Sequence, residues 1–247
     1  MIKPLFNSSA GPLRVLGVCS GPGPAIWSAL DLQNEMKAQP GGCPFELVGL
    51  FSDRPASPAL AEADRRSLPK YLLDAEPYHN GPAGELMSPD DNKAFEADMI
   101  ELMAPLKADC LLVSGYQWTI GPKLLDKYLG LRVWPGGPAC VKGFLKTGDK
   151  NLRAKVTFLT APGGVGPVMI VAPSLNIDYG RFEDEKGGVS IYLASAMEQS
   201  GLAGARAVLE LARGHFGSAE SGDLYYKGQI IPDGLVFDSW RWTFGGG

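Results

Sequence analysis

The chain has 247 residues, 45% hydrophobic and 20% charged, with a net charge of −4. That length buries a sizeable core as one domain with at most a small appendage, and the weakly acidic balance gives no basic footprint for nucleic acid. The first apolar run, Val15 to Val18, is too short for a signal peptide, and no run reaches the ~18 apolar residues of a membrane span. The cytoplasm is the expected location.

Taken in order, residues 1–13 read as a loose lead-in. Arg14 to Ser20 reads as a first strand, Gly21-Pro22-Gly23-Pro24 as a turn, and Ala25 to Gln39 as a helix with apolar residues recurring at three and four. Phe45 to Phe51 is a second strand, Leu60 to Arg66 a short helix and Leu68 to Leu73 a short third strand. Asp74 to Pro89 is rich in Pro, Gly and Asn and reads as a long surface loop. Ser88-Pro89-Asp90-Asp91 carries the signals of a helix start, and the pattern runs to about Leu106.

The centre is Ala108 to Pro135. Two apolar runs, Cys110 to Val113 and Leu131 to Trp134, flank a short amphipathic segment containing Leu124, Leu125 and Tyr128. Such runs bounded by Gly or Pro predict strands buried on both faces, joined as strand, crossover and parallel strand. Gly136 to Lys150 is irregular, with Lys142, Lys146 and Arg153 nearby, and Ala154 to Thr160 and Val168 to Ala172 are further strands. Gly188 to Gly214 holds two helical patterns broken near Gly201, and Leu224 to Ile231 reads as a hairpin turning at Lys227-Gly228. The alternation predicts an α/β fold, a doubly wound and mostly parallel sheet whose far edge the late strands and hairpin make mixed. The expected organisation is 1–13 lead-in, 14–214 α/β domain, and 215–247 hairpin and tail.

Ligands in such sheets sit off the carboxyl ends of the strands. Those ends carry Ser20, Gly21 and Gly23 after the first strand, Tyr116 and Trp118 after the fourth, and Arg132, Trp134 and Pro135 at the fifth. Glycines in a first strand-to-helix turn let backbone amides approach a phosphate, although Pro22 and Pro24 each remove a donor. Cys19, Cys43, Cys110 and Cys140 form no C-x-x-C, and only His79 and His215 supply imidazole, so no metal site is expected.

Gly115-Tyr116-Gln117-Trp118-Thr119-Ile120, Arg132-Val133-Trp134-Pro135-Gly136 and Thr157-Phe158-Leu159-Thr160…Gly166-Pro167-Val168-Met169 together resemble the folate-dependent formyltransferases of the glycinamide ribonucleotide and methionyl-tRNA type. The likeness covers roughly Arg14 to Gly214, with weaker traces at Ser52-Asp53-Arg54, Glu198 and Leu209 to Gly214. It implies that fold, a pterin-lining role for Tyr116 and Trp118, a phosphate turn at Ser20, Gly21 and Gly23, and substrate-side roles for Pro135 and Gly166. It also places the family's catalytic asparagine, histidine and aspartate on Arg132, Trp134 and Gly164. Tryptophan has one N–H and no basic lone pair, and arginine stays protonated. These residues suit anion binding and stacking better than amine formylation.

The expected function is therefore that of a divergent formyltransferase-like protein, binding 10-formyltetrahydrofolate, another folate or a small anionic ligand. Two alternatives stand beside it: a pseudoenzyme that binds a ligand or partner without turnover, and a generic nucleotide-binding α/β domain. The expected partner is a small molecule, with no nucleic acid, membrane or metal.

Overall fold

The computed structural model describes residues 1–81, 87–134, 151–160, 166–176 and 187–237. In chain order the elements are β1 (Lys3–Pro4), β2 (Leu13–Cys19), α1 (Pro24–Lys37), β3 (Phe45–Ser52), α2 (Pro58–Arg65), β4 (Lys70–Leu72), α3 (Pro89–Met103), β5 (Cys110–Ser114), the single turn α4 (Pro122–Leu125) and β6 (Leu129–Trp134). There follow β7 (Asn151–Leu152), β8 (Lys155–Leu159), β9 (Val168–Val171), β10 (Leu175–Asn176), α5 (Gly187–Ala212), β11 (Phe216–Ser218), β12 (Leu224–Tyr226), β13 (Gln229–Ile230) and β14 (Leu235–Val236).

Among the described residues the main sheet has the order β14-β9-β8-β6-β5-β2-β3-β4. From β4 through β6 every pairing is parallel. Strand β8 is antiparallel to both β6 and β9, and β14 joins β9 in parallel. The apolar runs of β2, β3 and β5 are buried along their length because both sheet faces are covered. One face places Val15, Cys110, Leu112 and Val133 in a core with residues of α1 and α5. The other places Leu16, Val18, Leu111 and Val113 in a core with Phe95, Met99 and Met103 of α3. Helix α3 begins where the sequence signals it, with the Ser88 hydroxyl accepting from the Asp91 amide at 3.2 Å and acids in the first turn.

Two expectations are corrected. The break near Gly201 does not occur, and α5 runs unbroken from Gly187 to Ala212. Gly201 and Gly204 serve close packing there: a Cβ on Gly204 would lie 2.5 Å from the Ala25 Cβ of α1. The hairpin does turn at Lys227-Gly228, but it lies outside the main sheet, whose mixed edge comes from β8, β9 and β14. It builds a small antiparallel sheet, β1-β11-β12-β13, to which the lead-in contributes β1. The aromatic pair Phe216–Tyr226, with ring centres 5.4 Å apart, packs this sheet internally.

Buried Glu210 near the end of α5 ties the small sheet down. It receives the Tyr226 hydroxyl at 2.9 Å and meets His215 Nδ1 at 2.6 Å and Arg206 Nε at 2.9 Å. Burial alone would raise its carboxyl, but His215, Arg206 and Tyr226 together hold it below its ordinary range. Among the described residues no helix is long and apolar enough to cross a membrane.

Candidate functional site

The parallel strands β2, β3, β5 and β6 end on one rim, and the turns after β2, β3 and β5 together with the end of β6 gather most of the residues singled out in the sequence. The first turn is held tightly. The Ser20 amide donates to the Gly115 carbonyl at 3.0 Å, and the Ser20 hydroxyl accepts from the Gln117 amide at 3.0 Å. The Gly21 carbonyl accepts from the Ser57 hydroxyl at 3.0 Å, and Gly23 takes the left-handed conformation, φ 58°, that starts α1. Pro24 has no amide, the Ala25 amide donates to the Ser114 hydroxyl at 3.2 Å and the Ile26 amide to the Gly23 carbonyl at 3.0 Å. The first amides of α1 are thus engaged within the chain.

Tyr116 and Trp118 turn inward, 5% and 7% exposed, into the same apolar cluster as Phe95, Ile120 and Leu124. The indole N–H of Trp118 donates to Asp53 Oδ2 at 2.7 Å, and its ring centre lies 5.5 Å from that of His79. Asp53, at the end of β3, is fully buried; burial pushes its carboxyl up, against the opposing pull of Ser20, Trp118 and Arg54. Glu96 of α3, also buried and pushed up, accepts the Gly121 amide. Cys19 lies beneath this group with its thiol pushed up to about 12 by burial, which removes it as a nucleophile.

Arg132 and Trp134 project from the same face of β6. The Arg132 guanidinium donates through Nη2 to the Tyr116 carbonyl at 2.7 Å and reaches the Trp118 carbonyl at 3.4 Å. Its central carbon lies 5.1 Å from the Trp134 ring centre, a cation–π arrangement. Trp134 is 38% exposed and gives its only N–H to the Thr157 hydroxyl at 2.9 Å. The antiparallel register sets Thr157 opposite Arg132 and Lys155 opposite Trp134, so exposed Lys155 shares their face. Among the described residues no carboxylate pairs with Arg132, and burial lowers its pKa.

Gly166 precedes β9, away from these groups in the chain; a Cβ there would run into the Phe158 carbonyl, so close approach of the β8–β9 connection requires glycine. Pro135 and Gly164, and the basic residues Lys142 and Lys146, lie outside the described residues. The sequence reading missed Lys155, whose place depends on register, and it gave Asp53 no role beyond a charged turn. Neither Trp134 nor Arg132 is able to take a proton. His79 Nε2 has no hydrogen-bond partner among the described residues, and the His79 ring lies against Trp118. Among the described residues no group of three or more His, Cys, Asp or Glu side chains converges.

No protein-family model and no curated protein matches the sequence. Solved structures do match. Phosphoribosylglycinamide formyltransferase of Coxiella burnetii superposes with a TM-score of 0.70 at 14% identity, covering 92% of this chain and 99% of its own. Glycinamide ribonucleotide transformylase 1 of Symbiobacterium toebii gives 0.69 at 19% identity, over 87% of this chain and 94% of its own. A formyltetrahydrofolate deformylase of Pseudomonas syringae gives 0.67 at 13% identity, over 88% of this chain and 67% of its own. The chain therefore has the formyltransferase fold, with its mostly parallel sheet and helices.

Proposed function

We propose that this chain uses the formyltransferase fold to bind a small anionic ligand beside Arg132, and that ordinary formyl transfer is not its activity. One observation carries the reading: a guanidinium at a strand end, stacked on the part-exposed ring of Trp134, has no carboxylate partner among the described residues. Arginine presents planar donors suited to a carboxylate, and Lys155 adds a second cation on the same face. Trp134 and Thr157 frame the site, while Tyr116, Trp118 and Ser20 shape it from the neighbouring turns.

A folate-type donor such as 10-formyltetrahydrofolate is the ligand the fold suggests. The buried rings of Tyr116 and Trp118 speak against a good fit for it. Formyl transfer to an amine needs a group to hold the oxyanion and another to move a proton. Arg132 supplies the first, and neither Arg132 nor Trp134 supplies the second. A second reading, a pseudoenzyme that presents the scaffold to a partner, is favoured by the burial of Trp118.

The test is incubation with 10-formyltetrahydrofolate and small primary amines. The parent protein is expected to give no formyl amide above the uncatalysed background, and Gly164→Asp alone is expected to restore none because Trp134 still supplies no base. Transfer by either protein at ordinary enzymatic rates, about 1 per second or more, would refute the reading.

A further inference from the structure

The strand order reverses direction at β2: β3 and β4 are laid on one side of it, β5 and β6 on the other. A ligand crevice belongs off the carboxyl ends at that reversal. Here it is laced shut. Ser20 is bonded through both amide and hydroxyl to the turn after β5, Ser114 holds the Ala25 amide, and Ser57 holds the Gly21 carbonyl. Beside β3 the space is occupied by the Trp118 indole, fixed between the Asp53 carboxyl and the His79 ring. Swinging that ring out would leave the buried Asp53 Oδ2 without its donor, which is costly.

We propose that Trp118, pinned by Asp53, is the specificity-determining wall of the site, closing the crevice at the strand reversal and limiting the ligand to a carboxylate on a short chain or a single ring. This rests on the anion-site reading and adds the ligand's size to it. The wall and the anion site are joined through the backbone, because Arg132 bonds the carbonyls of Tyr116 and Trp118. With the indole fixed against Asp53, the proposal has a single-ring carboxylate approach the guanidinium from the part-exposed Trp134 side, and it excludes a fused bicyclic ring, which would also need the crevice beside β3.

The test compares two carboxylates of equal charge and different ring size, benzoate and pterin-6-carboxylate, by thermal-shift titration of the full chain. The wild type is expected to bind benzoate at least about tenfold more tightly than pterin-6-carboxylate, and Trp118→Ala to lose or reverse that preference. Free indole added to Trp118→Ala is expected to restore it, which a general loss of stability would not allow. Equal wild-type affinities overturn the wall and leave the anion site standing. No wild-type shift with either compound overturns both. Should Trp118→Ala fail to fold, Trp118→Phe is expected to move the preference in the same direction, and an unchanged ratio would overturn the proposal.

Discussion

Asp53 carries an ionisable group where charge is disfavoured, and it accepts the Trp118 indole N–H. Asp53→Ala should strand that N–H in the core and cost about 1–3 kcal/mol in urea denaturation. Asp53→Asn keeps an acceptor oxygen and removes the ionisation. Because the native carboxyl is pushed above its unfolded value of roughly 3.9, the native state holds its proton longer than the unfolded chain. Wild-type stability should then fall as pH rises from the unfolded value through the raised native one. Asp53→Asn should consequently match or exceed the wild type near pH 7 to 8, with the advantage vanishing on the acid side. A wild type that gains stability over Asp53→Asn as pH rises would contradict this assignment.

At the level of elements, the contact between α1 and α5 depends on a missing side chain. Alanine is a better helix former than glycine by about 1 kcal/mol, yet Gly204→Ala sets a Cβ 2.5 Å from the Ala25 Cβ and 3.1 Å from Val133 Cγ2. The variant should therefore be destabilised, by about 1–3 kcal/mol in the same denaturation experiment; a stabilised variant would show that the helices have room to part. This packing also explains what the sequence concealed. Runs such as Phe45 to Phe51 and Cys110 to Val113 were legible as strands because burial on both faces leaves no alternation to misread. Gly201 looked like a helix break because its neighbour across the interface, Ser28, is far away in the chain. The small sheet was hidden for the same reason, its first strand and its hairpin lying at opposite ends of the sequence. At the site, the lack of a basic lone pair on Trp134 was visible in the residue itself. The Asp53–Trp118 bond and the position of Lys155 opposite Trp134 depend on tertiary contact and strand register, which composition and spacing do not encode.

The whole molecule combines a sheet built like that of a formyltransferase with a rim that carries Arg132, Trp134, Lys155 and the Asp53–Trp118 pair. Parallel strands deliver their carboxyl ends to one place, and on the proposed reading Arg132 and Trp134 delivered there bind charge and stack. The fold constrains where a ligand sits, while the side chains at the strand ends decide which ligand and whether anything happens to it. Arg132 is the residue on which this account turns. The most direct measurement is a calorimetric titration of wild type and Arg132→Gln with benzoate. The account predicts saturable binding to the wild type and at least about tenfold weaker binding to Arg132→Gln, the loss expected for a charge-assisted hydrogen bond of about 1.5–3 kcal/mol. Equal affinity for the two proteins, or no binding to the wild type, would contradict it.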